Sequence, residues 1–270
     1  MDVTAAVSTS AGDITITADD SVTFSATGDV TASGAGNVVV RANAQAITTA
    51  GNGGDVITMA NGALIDAGSG TITLSAVAAG GGSAGGSITL GGLLTTNATG
   101  SAVDIDTDAA VVDGGDSHVD IVADSVGAVV TIDAKTGVGS GGALETTVAA
   151  IDVANTTSGN IEILESNAIT VLQLDNDTAD DGAGATGTIT LDTTNGTITV
   201  EDALATPAGV GVTAVDGNIS LNANGTDADL VIENVIQTSN PGDNAVGGVT
   251  IALSADDSVS FTAEGDVTGT

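Results

Sequence analysis

The segment Asp175-Asn-Asp-Thr-Ala-Asp-Asp-Gly182 gathers four aspartates, Asp175, Asp177, Asp180 and Asp181, within eight residues. Calcium takes several hard oxygens from carboxylates and carbonyls, so these four form the candidate metal loop of the chain. The loop does not follow the EF-hand pattern, because its glycine falls at the wrong place and no glutamate closes it. The nonapeptide calcium repeat is not reproduced either. Asn224-Gly-Thr-Asp-Ala-Asp229 and Asp113-Gly-Gly-Asp116 are fragments of such patterns. The bland reading of all three is a solvated acidic turn. No cofactor is required, and calcium is the one ion that the residues invite.

Catalytic constellations are harder to assemble. The only histidine, His118, lies on a predicted strand Ser117-His-Val-Asp-Ile121 whose inward residues are expected to be Val119 and Ile121, so it points outward. No Gly-x-Ser-x-Gly elbow accompanies it, and nucleophilic catalysis needs a positioned base. Glycoside hydrolysis needs two carboxyls facing each other across a cleft. The adjacent acids Asp19-Asp20, Asp180-Asp181 and Asp256-Asp257 would point to opposite faces of a strand. Arg41 and Lys135 are the only cationic side chains. Without cysteine there is no thiolate zinc site and no disulfide framework. The chain is therefore expected not to be an enzyme. A polysaccharide-degrading β-helix is kept as an alternative.

The elements that would position any site are short strands. Units of Gly, a polar residue and two or three alternating β-formers recur as Gly12-Asp-Ile-Thr-Ile, Gly36-Asn-Val-Val-Val, Gly70-Thr-Ile-Thr-Leu, Gly86-Ser-Ile-Thr-Leu, Gly187-Thr-Ile-Thr-Leu and Gly217-Asn-Ile-Ser-Leu. Alternation at period two predicts strands with one apolar face. Glycine before each strand is expected to supply a positive-φ turn. No 3.6-residue stripe predicts a helix. Aromatic residues are 1% of the chain, and 39 residues are glycine. A thin core of stacked Val, Ile, Leu and Ala fits that list better than a globular core. The close spacing of such units, as from Ile72 to Ile88 and on to Val103, predicts a β-solenoid with coils of roughly 20 residues, about 13 in all and on the order of 60 Å long. Tandem β-sandwich domains, cadherin-like, are the alternative fold. The Thr-x-Thr pairs Thr15/Thr17, Thr71/Thr73, Thr188/Thr190 and Thr197/Thr199 could stack into an outward ladder, which keeps ice binding as a further alternative.

Charge sets the partners. There are 35 acidic residues against two basic ones, a formal net charge of −33. Such a field repels phosphate backbones and anionic membranes, so no nucleic acid partner is expected. Gly, Thr or Asp interrupts every apolar stretch, and the aromatic girdles of a membrane barrel are missing, so no membrane insertion is expected. Screening by salt or cations points to an extracellular medium. Met1-Asp2-Val3-Thr4 carries no signal-peptide n-region, so export signals are expected elsewhere in a larger parent.

A long period joins the short one. Ala18–Thr31 returns as Ala255–Thr268 at a constant offset of 237, with 11 of 14 positions identical. The only two phenylalanines, Phe24 and Phe261, stand in equivalent places. Residues 1–270 are thus expected to be one continuous solenoid segment holding one complete unit of that length and the start of the next. Dense Gly-x-Ile-Thr-Leu strands, abundant aspartate, absent cysteine and this long repeat resemble the repeat regions of giant bacterial surface proteins, namely filamentous-haemagglutinin-type adhesins and autotransporter passenger domains. The resemblance implies an all-β, right-handed parallel β-helix displayed on the bacterial cell surface as a structural or adhesive rod. The implied partners are neighbouring repeats of the same fibre, or further copies by self-association, and cell-surface or extracellular-matrix ligands. A calcium- or glycan-binding module carried on the insertions 175–187 and 236–248 is the alternative function.

Overall fold

The computed structural model describes residues 1–43, 54–78, 86–115, 118–176, 187–201, 211–239 and 249–269. Period-two alternation is realised as burial that alternates along each strand. Ile72–Ala76 and Ile219–Ala223, for example, bury every second residue. Among the described residues there are twenty-eight strands and no helix.

The first five rungs contain three strands each. They are β1 (Asp2–Val3), β2 (Val7–Thr9) and β3 (Ile14–Thr17); β4 (Val22–Phe24), β5 (Val30–Ala32) and β6 (Val38–Arg41); β7 (Ile57–Met59), β8 (Leu64–Asp66) and β9 (Ile72–Ala76); β10 (Ile88–Leu90), β11 (Gly92–Leu94) and β12 (Val103–Thr107); and β13 (Val111–Asp113), β14 (Ile121–Ala123) and β15 (Val129–Ala134). Two narrower rungs follow, β16 (Leu144–Val148) with β17 (Ala150–Asn155), and β18 (Ile161–Glu165) with β19 (Ile169–Asn176). The last three regain three strands: β20 (Ile189–Thr193), β21 (Ile198–Val200) and β22 (Val212–Val215); β23 (Ile219–Ala223), β24 (Leu230–Ile232) and β25 (Ile236–Ser239); and β26 (Ile251–Ala255), β27 (Val259–Phe261) and β28 (Val267–Gly269).

Successive rungs pair strand on strand, and all of the pairing is parallel, which is the parallel β-solenoid expected from the sequence. The ten strands of the second sheet, from β2 to β26, number the rungs as ten and not 13. At about 4.8 Å per rung the stack is about 45 Å long. The short expected coil has a simple cause. Ile72 and Ile88 lie on different faces, and Ile72 stacks instead on Val103, a full rung away. Rung length is far from uniform. Thr146 reaches Glu165 in the next rung by a step of only 19 along the chain, whereas Asp29 reaches Leu64 by a step of 35.

The faces change along the rod. The first face, β1-β4-β7-β10-β13, ends in single bridges from Val111 to Val138 and from Val138 to Ile161, the first residue of β18. Two faces thereby merge into one. On the opposite side the long strand β19 divides its pairing, Ile169–Val171 with β21 and Leu174–Asn176 with β22. One face thereby becomes two.

Inside, one column runs through all ten rungs: Ile16, Val40, Leu74, Ile105, Ile132, Val153, Leu174, Val212, Ile236 and Val267. All but the last are buried. Each such side chain contributes roughly 1.5–3 kcal/mol on leaving water. Buried hydroxyls and amides close the corners. Thr95, Thr107 and Thr238 donate to the carbonyls of Gly70, Gly86 and Gly217 at 2.6, 2.5 and 2.8 Å, and Asn155 donates to Asn176 at 2.8 Å.

The positive φ expected of the glycines that begin strands is found at Gly54 and Gly159, but others have a different reason. Gly36, Gly70 and Gly217 do not have positive φ. A Cβ on Gly70 would lie 2.1 Å from the carbonyl oxygen of Gly36, and one on Gly36 would lie 2.3 Å from that of Gly12. Glycine is required there because the backbone of the neighbouring rung occupies the side-chain position. The tightest case is Gly217, whose Cβ would be 1.8 Å from the Gly187 oxygen. Gly217→Ala is expected to cost on the order of 3 kcal/mol in urea unfolding, whereas Gly100→Ala, which meets nothing within 4 Å, changes stability little. Equal midpoints for the two variants would contradict this account.

Candidate functional site

Of the sequence-predicted metal loop, Asp177, Asp180 and Asp181 lie outside the described residues. Asp175 is a residue of β19, in register with Ala154 below and Thr213 above, and half-buried on the outer face of the sheet. Gln173 Nε2 donates to its Oδ2 at 3.4 Å. Residues 240–248, which make up most of the insertion 236–248, also lie outside the described residues.

Carboxylates converge elsewhere. Asp113 ends β13, Asp120 immediately precedes β14, and Glu145 is the second residue of β16. One carboxylate oxygen from each lies within 4.8 Å of the other two. The ladder builds this corner. Asp120 N donates to Glu145 O at 2.8 Å, and Glu145 N donates back to Asp120 Oδ2 at 3.0 Å. Gly115 N donates to Asp113 Oδ1 at 2.8 Å. Gly142 leaves room for the same carboxylate, since a Cβ there would sit 2.3 Å from Asp113 Oδ2. Asp120 is completely buried. With Asp120 fully buried and Asp113 and Glu145 half-buried, the three carboxyls present the hard oxygens that a cation such as calcium takes.

The sequence named Asp113 only as part of a fragment, and the strand expected at Ser117–Ile121 would have turned Asp120 outward. In the structure the strand starts at Ile121, Val119 is half-exposed, and Asp120 turns into the corner. His118 is exposed, as expected. Glu145 could have been joined to Asp120 only by knowing the length of this rung, which the pairing of Ile121 with Thr146 reveals.

A second acidic feature lies on the outer face of the sheet that contains β12, β15 and β17. Asp106 stacks directly on Asp133, while Asp104 and Asp152 flank Thr131 in the adjacent column. Burial raises the carboxyls of all four above the ordinary aspartate range. The charge of Asp133 adds to the shift at Asp104, Asp106 and Asp152. Near this ladder Lys135 Nζ pairs with Asp108 Oδ1 at 2.5 Å. The lysine side of this pair is half-exposed, while the Asp108 side chain is only 11% exposed and also accepts from Ala78 N at 2.8 Å.

Inside the solenoid, Glu165 is completely buried between Thr146 and Thr193. Desolvation raises its carboxyl, against hydrogen bonds from Asn167 N at 3.0 Å, Thr146 Oγ1 at 2.7 Å and Val148 N at 3.1 Å. These contacts lock a corner of the stack.

The threonine pairs do not make a flat array. Thr15 lies beside Val39, Thr73 beside Asp104, and Thr17 beside Arg41. Compared with known proteins, the chain matches no family model, no curated protein and no solved structure.

Proposed function

We propose that this chain is a structural segment of an extended fibre on the bacterial cell surface, a rod whose neighbours are further repeats of the same kind. The carrying observation is the interior column from Ile16 to Val267, which passes through every rung without a break. Each rung in such an array needs only its neighbours to bury its apolar face, so length can be added without a new core. Short side chains inside and aspartate outside suit a thin, soluble, self-repelling strut. Antibodies raised against the chain, applied to intact cells of the source organism, should label surface filaments in electron micrographs. Label confined to the cytoplasm would overturn the reading.

A second reading adds calcium to the rod, and the corner of Asp113, Asp120 and Glu145 is the observation that favours it. Millimolar calcium is then expected to raise the melting temperature by several degrees over chelator, and Asp120→Asn to abolish the rise. A rise that survives Asp120→Asn but is lost in Asp177→Asn would place the ion in the sequence-predicted loop instead. The absence of any rise would remove calcium from the account.

A further inference from the structure

The recurrence of Ala18–Thr31 at Ala255–Thr268 has a structural counterpart that reaches beyond the identical residues. At the same offset, β26, β27 and β28 correspond to β3, β4 and β5. The local geometry matches. Gly28 sits with its Cβ position 2.2 Å from Val3 O and 3.2 Å from Ser25 N, and Gly265 with the same position 2.1 Å from Ile232 O and 3.3 Å from Thr262 N. The strands beneath match as well. Phe24 stands over Val3 and Val30 over Val7, as Phe261 stands over Ile232 and Val267 over Ile236.

What differs is the rung above. Val22, Phe24 and Val30 are fully buried beneath β7 and β8, in the register Val22 to Ile57, Phe24 to Met59 and Val30 to Ile65. Their equivalents Val259, Phe261 and Val267 are 40%, 52% and 41% exposed.

From this we infer that the rung β26–β28 is a docking surface for a second copy of the unit, joined in line, whose β6, β7 and β8 cover it in the register already present within the chain: Leu253 to Val40, Val259 to Ile57, Phe261 to Met59 and Val267 to Ile65. The inference rests on the rod reading above and specifies how one unit meets the next.

The change of faces makes the joint possible. The merged face that leads to β26 takes the place of the single face headed by β3. The two faces born from β19 and leading to β27 and β28 take the places of those containing β4 and β5. Each unit therefore ends with the arrangement of faces from which the next begins. The side of the rod that carries two faces becomes, in the following unit, the side that carries one.

The absence of native cysteine allows a direct test. The full chain is extended at Thr270 by a second copy of residues 34–270, since Thr270 corresponds to Ser33. Phe261→Cys is introduced in the chain with and without the extension, and its reaction with a thiol reagent is timed. The reaction should slow at least 100-fold on extension, while Ser260→Cys, which corresponds to the outward Thr23, stays fast in both. Small-angle scattering should show the maximum dimension growing by about 41 Å, between eight and nine rungs at about 4.8 Å each. Fast labelling of Phe261→Cys in the extended chain, or two hinged bodies in the scattering, would overturn the joint. So would slow labelling of the unextended chain at high concentration, because the covering rung would then be some other edge of a free copy. None of these results depends on where the fibre is displayed, so the joint and the surface reading can fail separately.

Discussion

Lowering the pH from 7.5 towards 4 at low salt is expected to raise the melting temperature, the reverse of ordinary acid denaturation. In the folded chain Asp104, Asp106, Asp133, Asp152 and Glu165 all have carboxyls raised by burial, with Asp133 adding repulsion at three of them. A group whose folded value is raised takes up its proton more readily folded than unfolded. Its favourable contribution is complete below the unfolded value, near 4, and is lost as pH rises through the folded value. At neutral pH these five groups are therefore a liability, and acidification relieves them in the window from their raised values down to about 4. Loss of general charge from the −33 total acts in the same direction, and so does added salt. Asp133→Asn should raise the neutral-pH melting temperature and flatten its pH slope. Melting curves followed by circular dichroism between pH 4.5 and 8 decide the matter. A melting temperature that falls steadily on acidification would show that native carboxylates stabilise more than they repel.

The second large effect compares two identical side chains. Phe24→Ala removes a fully buried ring stacked between Val3 and Met59, and is expected to cost about 3–5 kcal/mol to the rungs that contain it. Phe261→Ala removes the same ring where half of it meets water, and should cost less than about 1 kcal/mol. Because solenoid rungs unfold with their neighbours rather than all at once, native-state hydrogen exchange is the suitable measure. Amides of β1, β4 and β7 should lose protection in Phe24→Ala, while those around β15 keep theirs. Equal losses in the two variants would mean that the ring matters through local strand formation and not through the stack.

The two results also separate what the residues themselves determine from what the fold adds. The period-two alternation of Ile, Val and Leu with Thr, Asp and Ser, broken every few residues by glycine, is enough to dictate short half-buried strands, the absence of helix and a thin parallel stack. These are local properties, and no tertiary contact overrides them. The long recurrence is equally plain in the residues, as is the negative excess, most of which lies outside while Asp120 and Glu165 are buried. The carboxylate corner was not legible. Asp113 and Asp120 flank one corner, Glu145 lies a full rung further on, and the three meet only because that corner and that rung happen to have the lengths they do. Rung length itself, from a step of 19 at Thr146 to one of 38 between Leu174 and Val212, depends on how many residues each corner holds, and no alternation pattern records that.

The role of several strand-initial glycines, though not of Gly54 and Gly159, was misread for a related reason. A glycine before a strand looks like a turn residue in one dimension. In three dimensions Gly36, Gly70 and Gly217 are where one rung's carbonyl presses on the next. The merging of two faces at Val138 and the division of one at β19 likewise depend on pairings between rungs. Sequence thus determined the strand, its inward face and the long period. Which rung lies over which, and so which carboxylates meet and which phenylalanine is covered, was decided by the stack, because stacking joins residues whose separation along the chain varies from rung to rung.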